Sequence, residues 1–304
     1  MIKFSQSPLV NALLFSLFWA IEIFITKLAF VAGAQVIPFT IQSNFLTLLI
    51  LSVYVLFRKR KELTSVPFRT LKWVLFANAI HMGLGGFLGN AGIQFTTAIN
   101  AGFLTQFTVV TGTILALLIL HEKMTKTKLL AIFMIILGSF FLTTNGQIII
   151  PHIGDLLIIT ACIAWGLGGI LIRKMLKHAK VHADIVSFYR PIAGIPVILF
   201  FTFLSPLYPP QLQTIFHVNI FAVHQGIYVV LNAIFVFLVW LFVNRMLKVA
   251  SASYASILPS ITPILVAVLA MIFLHERMSM IQVVGAVLIL ASSFVAHYLK
   301  FDKH

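Results

Sequence analysis

Cysteine is nearly absent from this 304-residue chain, where Cys162 stands alone. A single thiol excludes an intramolecular disulfide framework and leaves no Cys/His cluster for a metal. Charge is also scarce. Asp, Glu, Lys and Arg make up 9% of the residues, and only seven are acidic, against roughly 25% charged in a soluble domain. Alternating segments of about ten residues, the mark of a membrane barrel, do not occur. Hydrolase patterns are missing too: His121-Glu122 runs on into Lys123-Met124 rather than H-E-x-x-H, and there is no G-x-S-x-G. These absences argue against an enzyme, a metalloprotein or a cofactor-dependent chain.

What remains is apolar, at 61% of residues spread over the whole length. A membrane-spanning helix takes about 20 such residues. Ten runs qualify: 9–27, 38–57, 73–94, 99–120, 128–145, 153–173, 184–204, 219–242, 252–274 and 280–299. The first lacks a small-residue cleavage site and contains Glu22, so it reads as a retained helix rather than a signal peptide. The expected fold class is an all-α integral membrane protein with ten transmembrane helices.

A formal charge of +14 in a soluble protein would suggest nucleic acid. Here the cations serve topology. Eighteen of the 21 Lys and Arg fall in the termini and alternate loops, from Lys3 through Arg58–Lys61 and Arg173–Lys180 to Lys303. The positive-inside rule puts those segments, and both termini, in the cytoplasm. The expected partner is a lipid bilayer, with no nucleic acid.

The chain also repeats. His121-Glu122-Lys123-Met124 ends the fourth run and His275-Glu276-Arg277-Met278 the ninth, and Trp19 and Lys27 match Trp165 and Arg173. Five spans per repeat is an odd number, so the halves, 1–146 and 147–304, are expected to be inverted. Inverted repeats recur in secondary transporters, with the substrate near the midplane between them.

This ordered set, with Trp165-Gly166, Glu122 and Glu276, and Gly138 and Gly285 in the last helix of each half, resembles the EamA branch of the drug/metabolite transporter superfamily over nearly the whole chain. The resemblance implies two EamA-like five-helix repeats in a bacterial inner membrane protein. Its implied activity is secondary transport of small metabolites or drug-like compounds, with export as the expected direction and protons as a candidate coupling ion. Import or exchange of an amino acid, nucleotide-like or vitamin substrate is the alternative, ahead of a channel or an intramembrane enzyme. No cofactor is expected, and the chain acts as a monomer or homodimer. Departures from the pattern fall where chemistry would lie. Asn44 stands opposite Arg190, Glu22 opposite Gly168, and Pro259 and Pro263 opposite Thr105 and Val109.

Glu22 is the one acidic residue deep inside a span. A charge there costs about 2.5–3.5 kcal/mol on insertion scales. Protonation or a cationic substrate would relieve that cost; a pairing with Lys27, Arg190 or His81 would do so structurally. Asn44, His81, Arg190 and Asn232 are further substrate-binding or coupling candidates. For His81 the roles are proton relay, donor to a substrate, or a packed core histidine. Trp19, Trp165, Tyr228, Trp240 and Tyr254 are candidate cavity aromatics. Gly83, Gly85, Gly86 and Gly89 suit close helix contact or a smooth gate wall. Pro191, Pro196, Pro259 and Pro263 read as internal helix prolines, hence hinge or gate candidates. Glu122 and Glu276 are expected to stabilise the helices that follow them, with Thr125 and Ser279 as N-caps.

Overall fold

The computed structural model describes residues 8–121, 124–145, 152–179, 181–207, 213, 226–249 and 261–298. All regular structure among them is helical. The main helices are α1 (Pro8–Val31), α2 (Val36–Arg58), α3 (Phe68–Phe95), α4 (Ala98–Leu120), α5 (Lys126–Thr144), α6 (Ile153–His178), α7 (Ala183–Phe203), α8 (Gly226–Val249), α9 (Thr262–Phe273) and α10 (Met280–Tyr298). Seven of these, α1 to α4 and α6 to α8, are long and apolar enough to cross a membrane. Their outward faces carry bare apolar side chains such as Phe45, Phe57, Phe76 and Phe200, as suits contact with lipid. The protein is a multi-pass integral membrane protein.

Local chemistry explains where helices start and stop. The Thr97, Thr125 and Ser279 hydroxyls accept from the backbone N–H three residues on, capping α4, α5 and α10. At α10 the Gln282 side chain returns the bond to the Ser279 N–H at 3.0 Å, completing a reciprocal box. His121 and His275 both take left-handed backbone angles, φ 55° and 53°. They end α4 and α9 by the geometry usually left to glycine.

Two helices depart from simple α geometry. Residues Ala79–Gly86 of α3 form a π-helical stretch, and α4 breaks between Leu104 and Phe107. In α7, Pro191 and Pro196 are internal, as expected. Pro263 is not: α9 starts at Thr262, so this proline sits in the first turn, where its missing N–H would have no helical partner anyway. Pro259 lies outside the described residues, as do Glu122, Tyr254 and Gln225. Helix α8 runs on to Val249, past the expected end at 242. Within this extension Arg245 Nε pairs with Asp184 Oδ1 at 3.1 Å.

The helices interleave. Helix α1 packs on α8 and α9, while α6 packs on α3 and α4. Helix α2 packs on α7, and α5 on α10. Exchanging each helix with the one five places on reproduces this set of contacts. Two apolar cores result. One gathers Ile23, Ile37, Phe87, Leu104, Ile158 and Ile289, and the other Phe15, Leu51, Ile172, Val186 and Trp240.

At the α5–α10 crossing, a Cβ on Gly138 would fall 2.6 Å from the Gly285 carbonyl oxygen, and one on Gly285 2.6 Å from that of Gly138. Backbone cannot yield as a side-chain tip can. Gly138→Ala should therefore lower stability by about 1–3 kcal/mol, the usual cost of overpacking, seen as a lower midpoint in thermal unfolding in detergent.

Candidate substrate cavity

A cavity of ≈ 170 Å³ lies in the middle of the bundle, between the two cores. Its wall draws on α1, α2, α3, α4, α6, α7 and α8. Trp19, Glu22, Asn44, His81, Trp165, Arg190 and Asn232 all line it. Tyr228 does not; it is half-buried and packs on the first core.

Glu22 and Thr26 lie one turn apart on α1, and both face Asn232 of α8. Glu22 Oε1 accepts from Thr26 Oγ1 at 3.1 Å and from Asn232 Nδ2 at 3.2 Å, and Asn232 Nδ2 also reaches Thr26 Oγ1 at 2.9 Å. The sequence reading offered Lys27, Arg190 or His81 as structural partners, yet Glu22 forms no ion pair among the described residues. Lys27 instead donates to the backbone carbonyls of Ile93 and Thr96. Arg190 and His81 engage each other, with Nη1 2.8 Å from Nδ1. Glu22 thus keeps neutral neighbours and one cavity-lining carboxylate.

The two tryptophans share a wall. Trp19 and Trp165 meet edge to face, ring centroids 6.0 Å apart. The glycine run of α3 seats the second: a Cβ on Gly85 would fall 2.6 Å from Trp165 Cδ1, and one on Gly89 2.6 Å from Cζ2. Gly168, one turn on, lets α6 press on the π-helical stretch, since a Cβ there would meet His81 Cβ at 2.5 Å. Gly85 and Gly89 make room for the indole, and Gly168 for the His81 backbone. Polar atoms around the cavity are left with binding capacity to spare: Ser43 Oγ, Asn44 Oδ1, Gln106 Oε1, Thr108 Oγ1 and Arg190 Nε are buried without a hydrogen-bond partner. In an apolar medium each such group costs about 1–3 kcal/mol.

Polar clusters lie toward either end of the bundle. Toward the ends of α2 and α8 that carry Arg58 and Lys248, Tyr54 and Arg245 both bind Asp184, at 2.7 and 3.1 Å. At the opposite end the α3–α4 junction is the hub. Thr96 Oγ1 donates to Asp155 Oδ1 at 2.6 Å, and the Glu276 carboxylate accepts from the N–H groups of Ala98 and Ile99 at 2.9 and 3.0 Å. This corrects the expected role of Glu276. It stabilises the start of α4, 178 residues away in sequence, rather than its own following helix, because the left-handed His275 turns the chain across the bundle. The duplicated His-Glu motif was a signal for this contact, but its target was not written beside it.

Replacing Glu276 with Gln turns one of these two acceptors into a donor facing a donor. The expected loss is about 1.5–3 kcal/mol, the scale of charge-assisted hydrogen bonds. The unfolding midpoint of purified Glu276→Gln against wild type measures it.

Comparison with known proteins agrees with this architecture. The model of the EamA-like transporter family matches residues 6–144 and again 152–298. The uncharacterized transporter YoaV of Bacillus subtilis (strain 168) is 23% identical over 249 residues, covering 79% of this chain and 80% of its own. The uncharacterized transporter YyaM of the same organism is 25% identical over 222 residues, 71% of this chain and 70% of its own. A solved structure titled only "Crystal structure of protein" superposes with a TM-score of 0.62 at 15% identity, covering 97% of this chain and 96% of that one; it shows the fold alone. With the family model matched twice along its length, the chain belongs to the EamA-like transporter family.

Proposed function

We propose that this membrane transporter carries a small organic solute through the central cavity by exposing it to the two sides of the membrane in turn. In this reading residues 1–146 and 147–304 form two inverted five-helix units, giving ten crossings with both termini in the cytoplasm. The exchange symmetry of the helix contacts supports two equivalent units. The loop cations support the orientation. Movement is outward in the direction expected for the family branch; import or exchange is the alternative. The chemistry is passage, with no covalent step, so the chain works as a transporter and not as an enzyme.

One observation carries the reading. The cavity lies where elements of both units meet, and it combines an aromatic wall, unpartnered polar atoms and a carboxylate with neutral neighbours. Such a site accepts a solute with polar groups and an apolar body. The clusters around Asp184 and Glu276 act as the two closures that open alternately. Pro191 and Pro196 allow α7 to bend between them.

Proton coupling runs through Glu22 in the same reading. A carboxylate that exchanges its charge for a proton inside the cavity switches its contact with Asn232 between accepting only and donating as well, which ties protonation to the α1–α8 contact. In proteoliposomes, Glu22→Gln should retain its fold and lose pH-gradient-driven uptake of a substrate found by a metabolite panel. Undiminished pH-driven flux in Glu22→Gln would remove the proton from the mechanism. A panel with no saturable, counterflow-competent substrate would remove the carrier itself.

A further inference from the structure

Arg190 is fully buried, and its contacts form a chain whose hydrogen-bond polarity can be read from end to end. A guanidinium has donors only, and a backbone carbonyl accepts only. Ser187 Oγ donates to the Trp240 carbonyl at 2.8 Å. Its lone pairs are then open to Asn244 Nδ2, which donates to it at 2.8 Å. That amide orientation turns Asn244 Oδ1 to Arg190, which donates through Nη2 at 2.8 Å. The Arg190 guanidinium also lies over the Trp240 ring, 5.9 Å from its centroid. With the guanidinium held on these sides, Nη1 meets His81 Nδ1 at 2.8 Å. Because the arginine can only donate, His81 Nδ1 must accept.

A neutral imidazole with an accepting Nδ1 carries its proton on Nε2. His81 Nε2 has no partner among the described residues, and His81 lines the cavity. Gly168 of α6 packs against the backbone and Cβ of His81. We infer that Arg190 is a positioning residue that fixes the Nε2–H tautomer of His81 and so presents a hydrogen-bond donor to the transported solute, which must offer an acceptor oxygen there, of the carboxylate or carbonyl class. Of the sequence-level roles for His81, donor to the substrate is the one this contact selects. The inference rests on the cavity being the substrate site, and it assigns the polarity of one wall of that site.

The tautomer is measurable without any substrate. In 15N-histidine-labelled full-length protein in detergent or bilayers, the His81 ring resonances are identified by their loss in His81→Gln. The expected spectrum shows a neutral ring with Nδ1 unprotonated and Nε2 protonated. In Arg190→Gln the side-chain amide can accept as well as donate, so the same resonances should shift to a mixture of tautomers, and the KM for the panel substrate should rise about tenfold with a smaller change in maximal rate. A wild-type His81 carrying its proton on Nδ1, or on both nitrogens, overturns the inference even if Arg190→Gln does not fold. An unaltered tautomer in a folded Arg190→Gln overturns it too. The expected tautomer in a chain that transports nothing leaves Arg190 in its positioning role and rejects the transport reading instead, so the two failures are told apart.

Discussion

A guanidinium with no access to solvent in the middle of a membrane bundle constrains everything around it. Arg190 has five N–H donors to place and no water to take them. It draws in His81 from α3 and Asn244 from α8, and through Asn244 it reaches Ser187 on its own helix. Three helices are pinned at that point, and one side of the cavity is the surface they present. The π-helical stretch Ala79–Gly86 belongs to the same arrangement. One wider turn in α3 carries His81 among the cavity residues, while the glycines after it leave room for Trp165. Buried charge of this kind is a costly way to gain stability; its return here lies in geometry.

The halves are alike in packing and unlike in chemistry. The contact of α1 on α8 has its counterpart in α6 on α3. In the first, Glu22 meets Asn232 through a hydrogen bond. In the second, the position matching Glu22 is Gly168, and the backbone of α3 comes close enough to touch it. The same crossing is thus built once from side-chain hydrogen bonds and once from bare backbone. Asn44 and Arg190 repeat the lesson on α2 and α7. Asn44 bonds its own helix at the Thr40 carbonyl, whereas Arg190 organises a network across three helices. A symmetrical scaffold acquires an asymmetrical pocket by changing few residues.

Much of the helical scaffold was legible in the sequence, because lipid enforces long apolar runs. Seven of the candidate side chains share one cavity for a related reason: a polar group in a span has few places to be except inside the bundle. What escaped the sequence was pairing. Glu22 looked for a cation and found Thr26 and Asn232. Glu276 looked local and capped α4. Tyr228 looked polar enough for a cavity and packs on the core. Pro263 looked internal and opens a helix. The Glu22–Asn232 and Glu276–Ala98 contacts depend on which helices touch, and they join residues more than a hundred positions apart.

That limit also shows which features of the cavity can tune the solute. The aromatic wall depends on glycines in α3, so its shape is tied to the scaffold and changes only if α3 and α6 move apart. The polar atoms on α2 and α4, Ser43, Asn44, Gln106 and Thr108, support no crossing through the groups left unpartnered. Those groups hold no helices together, whereas Gly85, Gly89 and Gly168 are held by backbone and ring contacts that any side chain would disrupt. Residues that hold helices together are thus distinct from residues that merely face the space between them.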